Sequence, residues 1–235
     1  MEFSEALALA TELGYAEADP TADVQGIDAG RKICILADLA FGHQVDPAQV
    51  PMEGITGIDL KDVEIAGRHG YRIKLLGRCL RLEGGRRTAY VAPHLISEEN
   101  PMSDVNDVFN AVAVCGNTLG DTMFYGRGAG KLPTASAVVA DVVECARHLQ
   151  KTVGCLWEEG EAKVADFDSQ EGRFFVRVLK KARADVEKVF GAVVPVVLDS
   201  ALEEFAFVTE SMQEAEFEKC REQIFGFVKK IRIKD

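Results

Sequence analysis

The sequence has no apolar run approaching the ~20 residues that a membrane-spanning helix needs, although 47% of its 235 residues are hydrophobic. Its start, MEFSEALALATELGY, has neither the basic flank nor the apolar centre of a secretory signal and reads as an acidic amphipathic helix. Basic charge is scarce: 27 Lys and Arg stand against 38 Asp and Glu, a net charge of -11. That argues against sequence-independent nucleic-acid binding, which needs clustered cations. The cysteines Cys34, Cys79, Cys115, Cys145, Cys155 and Cys220 form no CxxC pair, so no structural metal site is expected. Most lie in apolar runs, as reduced, buried cysteines do. This usage points to a reducing, cytoplasmic compartment.

What is present suffices for one large core or two modest ones. A first helix is expected from Phe3 to about Leu13, closed by Gly14, with Ala6, Leu7, Ala10 and Leu13 on one face. YAEADPTADVQG then reads as a loop. A second helix is expected from Ile27 to Phe41, stopped by Gly42, and the contiguous run Ile33 to Leu36 makes it apolar nearly all round, hence buried. IDLKDVEIAGRHG reads as a short helix. YRIKLLGRCLRLEGGRRTAYVAPHLI reads as a hairpin about Gly84-Gly85, and FNAVAVCGNTLGDTMFYG as two more strands. Leu132-Pro133-Thr134 opens a long helix to about Leu149.

The fold class expected is α+β: an antiparallel or mixed sheet covered by helices over residues 1–150, then an acidic, irregular linker over 151–172. Residues 173–235 carry the strand and helix patterns of a small βαββαβ, ferredoxin-like domain.

The densest polar cluster is Glu17, Asp19, Asp23, Asp28 and Lys32. Asp28 and Lys32, four apart, share a helix face. Lys32 immediately precedes the apolar run, where partial desolvation lowers an ammonium pKa while nearby carboxylates raise it. Such opposed influences suit a lysine that exchanges a proton near neutral pH. From spacing alone, an ordinary helix ion pair with turn and capping carboxylates is the better reading.

The literal residues add a resemblance. Gly14-Tyr15-Ala16-Glu17-Ala18-Asp19-Pro20, then Asp23, Gly26-Ile27-Asp28 and Arg31-Lys32, resemble the homoserine dehydrogenase signature. Further matches follow in order: Glu53-Gly54-Ile55, Gly70-Tyr71, Ile73-Lys74-Leu75-Leu76-Gly77, Val105-Asn106, Val108-Phe109-Asn110-Ala111, and Phe124 to Gly130 leading into Pro133-Thr134-Ala135-Ser136-Ala137. The resemblance implies interconversion of aspartate semialdehyde and homoserine with NAD or NADP. It implies that Glu17, Asp23 and Asp28 bind substrate, that Lys32 is the catalytic proton donor, and that Gly14 and Gly130 contact the cofactor. It also implies a homodimer through the sheet from about Tyr71 to Phe124.

Three departures stand out. No GxGxxG follows a strand near the start, so the chain is expected to be the C-terminal part of such an enzyme, inactive without a nucleotide-binding domain. The βαββαβ segment resembles an ACT domain, but Lys180-Lys181-Ala182-Arg183 stands where the family's Asp-x-Pro-Gly turn belongs, so threonine sensing is not expected. Asp107 stands where the family usually has glycine. The competing expectation is a non-catalytic dimerisation or amino-acid-sensing module.

Overall fold

Glycines punctuate the front of the chain and set where its helices stop. The computed structural model describes residues 2–14, 16, 19–151, 154, 157–158, 160, 162–196 and 203–234. Helix α1 spans Phe3–Glu12, α2 is a single turn at Thr21–Val24, and α3 spans Ile27–Phe41. Gly26 and Gly42 flank α3 at φ of 75° and 79°, values that cost an L side chain about 1–2 kcal/mol. The turn α2 lies where a loop was expected. Thr21 donates to the Asp19 carboxylate from its amide at 3.1 Å and its hydroxyl at 2.6 Å, which holds that carboxyl below its ordinary pKa.

Helix α4 spans Leu60–Arg68, strands β1 and β2 span Tyr71–Arg81 and Arg87–Ser97, and β3 and β4 span Phe109–Gly116 and Gly120–Arg127. Helix α5 spans Lys131–Arg147. The C-terminal elements are β5 at Glu171–Gly172, β6 at Phe174–Leu179, α6 at Arg183–Phe190, β7 at Pro195–Val196, β8 at Glu204–Val208, β9 at Met212–Gln213, α7 at Glu214–Arg221 and β10 at Phe227–Lys234. The strand expected in AVVPVVLDS is described only at Pro195 and Val196; residues 197–200 lie outside the described residues.

One six-stranded sheet runs in the order β1-β2-β10-β6-β8-β7. Strand β10 lies antiparallel to β6 and parallel to β2, with Arg232 opposite His94. The sheet is therefore mixed, and the fold is α+β. Strand β6 is buried on both faces, which explains its unbroken FFVRV texture. Phe174, Val176 and Val178 pack with Val186, Phe207 and Phe217, the last from α7. On the other face Phe175 joins Ile65 and Ala66 of α4, Leu95, Ala206, Ile231 and Ile233.

Three sequence expectations need correction. Helix α3 is buried on one side only: Gly30, Cys34, Ala37 and Asp38 face inward, while Ile35 and Leu39 are exposed. Four contiguous apolar residues wrap more of the helix than the hairpin beneath it can cover. Strands β3 and β4 form a sheet of their own rather than extending the first hairpin, because the free edge of β2 is taken by β10. Neither β4 nor α5 has a buried residue. The exposure of these elements also places Cys115 and Cys145 at the surface; Cys34 is buried, Cys79 and Cys220 partly so, and Cys155 lies outside the described residues.

The described part of 151–172 is tied to the rest of the chain. Ala165 donates to the Arg87 carbonyl at 2.6 Å, Arg87 to the Lys163 carbonyl at 2.9 Å, and Ala162 to the Gln44 carbonyl at 2.9 Å.

Candidate active site

The corner between α2 and α3 sits directly on the sheet because three glycines remove the side chains that would hold it away. A Cβ on Gly26 would stand 3.0 Å from Val91 Cγ1, and one on Gly77 would stand 3.0 Å from Ile33 Cβ and 3.3 Å from the Ala29 carbonyl oxygen. A Cβ on Gly54 would lie 2.1 Å from the Val24 carbonyl oxygen and 2.6 Å from Gln25 Cα. Glu53 donates its N–H to Val91 at 2.8 Å, and Ile55 donates to Val24 at 2.8 Å. The Glu53-Gly54-Ile55 segment is thus threaded between β2 and α2, which gives that motif a structural role.

On this corner Asp28 lies in the first turn of α3 and its Oδ2 is 2.6 Å from Lys32 Nζ. The two side chains are 44% and 64% exposed. A pair this exposed contributes only about 0.3–0.5 kcal/mol, so the fold does not depend on it. The desolvation that the sequence suggests for Lys32 is not supplied by the described residues, which leave Ile35 and Leu39 on the outer face of α3 exposed. Asp23 is exposed on α2, one turn before, and its carbonyl accepts from Gly26 N–H at 3.2 Å. Glu17 lies outside the described residues.

Gly14 follows α1 at φ 74° with nothing within 4 Å of a would-be Cβ, and Gly130 caps α5 at φ 114°. Among the described residues, neither hydrogen-bonds to Asp23, Asp28 or Lys32. The open Gly14, and Gly130 at the N-terminus of a 17-residue helix, suit one wall of an anionic-cofactor site. With no GxGxxG in the sequence, they do not amount to a complete dinucleotide cradle.

Sequence reasoning quoted Lys74, Asn106 and Asn110 without giving them a task. Lys74 Nζ donates to the Val105 carbonyl at 2.6 Å and to Asn106 Oδ1 at 2.8 Å. Burial, assisted by the Arg72 charge, lowers the pKa of Lys74. Gly128 donates to the Val108 carbonyl at 3.0 Å and lies against the Asn110 side chain. These contacts lock the entry and exit of the β3–β4 hairpin. A lysine inside an apolar strand pattern was the available signal. Between them Asp107 adopts φ 53°, the left-handed region that explains a glycine preference there.

Residues 1–143 match the family model described as homoserine dehydrogenase. The homoserine dehydrogenase of Bacillus subtilis is 36% identical over 233 residues, covering 92% of this chain and 53% of the relative. That of Synechocystis is 50% identical over 145 residues, covering 60% of this chain and 34% of the relative. The crystal structure of a homoserine dehydrogenase from Thiobacillus denitrificans superposes with a TM-score of 0.88 at 30% identity, covering 100% of this chain and 59% of that one. A Staphylococcus aureus homoserine dehydrogenase at pH 7.5 gives 0.79 at 32% identity, again over 100% of this chain and 59% of the other. The chain spans 53% and 34% of the length of the two curated relatives. A family model matching more than half of the residues, and a fold shared along the whole chain, show that this chain belongs to the homoserine dehydrogenase family.

Proposed function

We propose that this chain forms the substrate-binding and proton-transfer face of a homoserine dehydrogenase, a cytoplasmic enzyme of threonine, methionine and isoleucine biosynthesis. It interconverts L-aspartate semialdehyde and L-homoserine with NAD or NADP. The observation that carries this is the Asp28–Lys32 pair, held in the open at a corner clamped by close-packed glycines. The bound nicotinamide supplies the hydride chemistry. The chain's own residues manage the zwitterion and one proton: Glu17, Asp23 and Asp28 offer carboxylates to the ammonium and hydroxyl groups, and Lys32 gives a proton to the aldehyde oxygen. Exposed Ile35 and Leu39 on the same helix support a face that is covered in the working enzyme. Among the described residues no helix is long and apolar enough to cross a membrane.

The test is turnover. The chain alone should not oxidise homoserine, whereas the chain joined to a nucleotide-binding domain of the family should do so. Proximity of hydride donor and acceptor requires that domain. Robust turnover by the pure chain would contradict the first half, and a folded but inactive fusion the second. The latter outcome would favour the alternative, a non-catalytic dimerisation or amino-acid-sensing module.

The working division is 1–150, a linker at 151–172, and an ACT-like domain at 173–235. The strand order β10-β6-β8-β7, with α6 and α7 as crossovers, supports the ferredoxin-like reading of that domain. Lys180–Ala182 forms a tight 3-10 turn where an effector turn would stand. Exposed Leu80, Val114, Met123 and Phe124 support a homodimer through the strands from about Tyr71 to Phe124. Light scattering at micromolar concentration should give a dimer, and calorimetry of the same sample should show no saturable threonine binding. A monomer would sink the dimer, and a threonine isotherm lost on deleting 173–235 would sink the second expectation.

A further inference from the structure

We infer that Arg232, on the last strand of the chain, is a positioning residue for the α2–α3 corner and acts through Glu53. This rests on reading that corner as the substrate site. The Arg232 side chain is buried, and its Nε and Nη2 donate to Glu214 Oε1 at 2.5 Å and Oε2 at 3.2 Å. Its Nη1 reaches Glu53 Oε2 at 2.5 Å, across 179 residues of sequence. Glu214 is itself buried at the start of α7 and also accepts from Lys230 at 2.8 Å. The guanidinium is therefore anchored on the C-terminal side by a two-point pair, which fixes orientation as well as charge.

The bond to Glu53 goes beyond what burial of Arg232 demands, because Glu214 already meets it at two points and Lys230 has a second carboxylate in Glu218 at 2.6 Å. Glu53 is half exposed, so it could be solvated without Arg232. The bond sets the Glu53-Gly54-Ile55 strip instead. That strip cannot shift without moving α2, since Gly54 leaves no room against Val24 and Gln25, and Ile55 is bonded to Val24. Close-packed backbone transmits displacement rather than absorbing it. Val24 neighbours Asp23, and α2 leads through one turn into Asp28 and Lys32. The path thus runs from β10 through one side chain and one glycine to the carboxylates of the corner.

Hydrogen exchange on the intact chain tests this with Glu53→Ala and Glu53→Gln, both of which leave the Arg232–Glu214 pair in place. Amides of Val24, Gln25, Glu53 and Ile55 should exchange about tenfold faster in Glu53→Ala and by less in Glu53→Gln, while those of β6 and α7 keep parental rates. Unchanged rates at the corner, or equal acceleration in β6, would overturn the proposal. This arm needs no turnover, so it stands apart from any failure of the dehydrogenase reading. In an active enzyme containing the chain, Glu53→Ala should raise the homoserine KM about tenfold with kcat within about twofold. An unchanged KM would likewise overturn it.

Discussion

In an enzyme that joins this chain to a nucleotide-binding domain, Lys32→Ala is expected to lower turnover by roughly 100- to 10,000-fold, the usual size of general acid catalysis. In the role proposed for it, Lys32 would give its proton as the hydride arrives, so its contribution would peak in the transition state and fall on kcat. The fold should be nearly unaffected. Lys32 touches Asp28 and little else, and both side chains are well exposed, so the lost pair is worth a few tenths of a kcal/mol. Glu17→Ala should behave differently, raising KM strongly with a smaller change in kcat, because a carboxylate on the ammonium acts in ground and transition states alike. An ordinary helix ion pair predicts the reverse for Lys32: a slightly lower melting temperature and near-normal turnover. Steady-state kinetics on both variants, with thermal melts alongside, separate these. Retention of most turnover by Lys32→Ala would remove it from the catalytic role.

How much of this was legible depends on whether the cause is local. Helix α3 runs over the residues the sequence marks, Ile27 to Phe41, because Gly26 and Gly42 adopt left-handed φ at either end. The β1–β2 hairpin is legible for the same reason: alternation on both arms and two glycines between them. The partner of β2 is not. Its pairing with β10 matches Arg232 to His94 and Ile233 to Leu95, and alternation alone cannot say which distant strand lies alongside. That one choice detaches β3 and β4 into their own sheet. The polarity of Asp28 and Lys32 was legible, but their exposure was not, since it depends on what fails to cover α3. Glu53 was visible only as a motif letter, because its task is set by an arginine 179 residues away.

Asp62→Ala is expected to destabilise the chain by about 3–5 kcal/mol, the cost of stripping one partner from a buried ion cluster. Asp62 is fully buried at the third position of α4, where it and Asp59 cap the helix reciprocally at 2.8 and 3.0 Å. Its carboxylate also accepts from Arg177 of β6 and Lys229 of β10. Without it the buried Arg177 keeps Glu204, at 2.9 Å from Nε, and one charge of the cluster is left poorly met. At about 2–4 °C per kcal/mol for a chain of this size, the melting temperature should fall by about 10 °C. The cluster should also fail in acid. Burial alone would raise the carboxyl pKa of Glu204, but Lys61 and Arg177 outweigh it and hold the value below normal. A carboxylate depressed in the folded state stabilises it above the unfolded pKa, here near 4.5, and that stability is lost as pH falls through the folded pKa. The decisive comparison is with Asp62→Leu combined with Arg177→Met. Replacing both buried partners removes their own desolvation cost together with their attraction, while Lys229 keeps Asp59 and Glu204 keeps Lys61, so the pair should be less damaging than Asp62→Ala. Additive losses in that double-mutant cycle would mean that Asp62 matters as a helix cap and not as the counterion of Arg177.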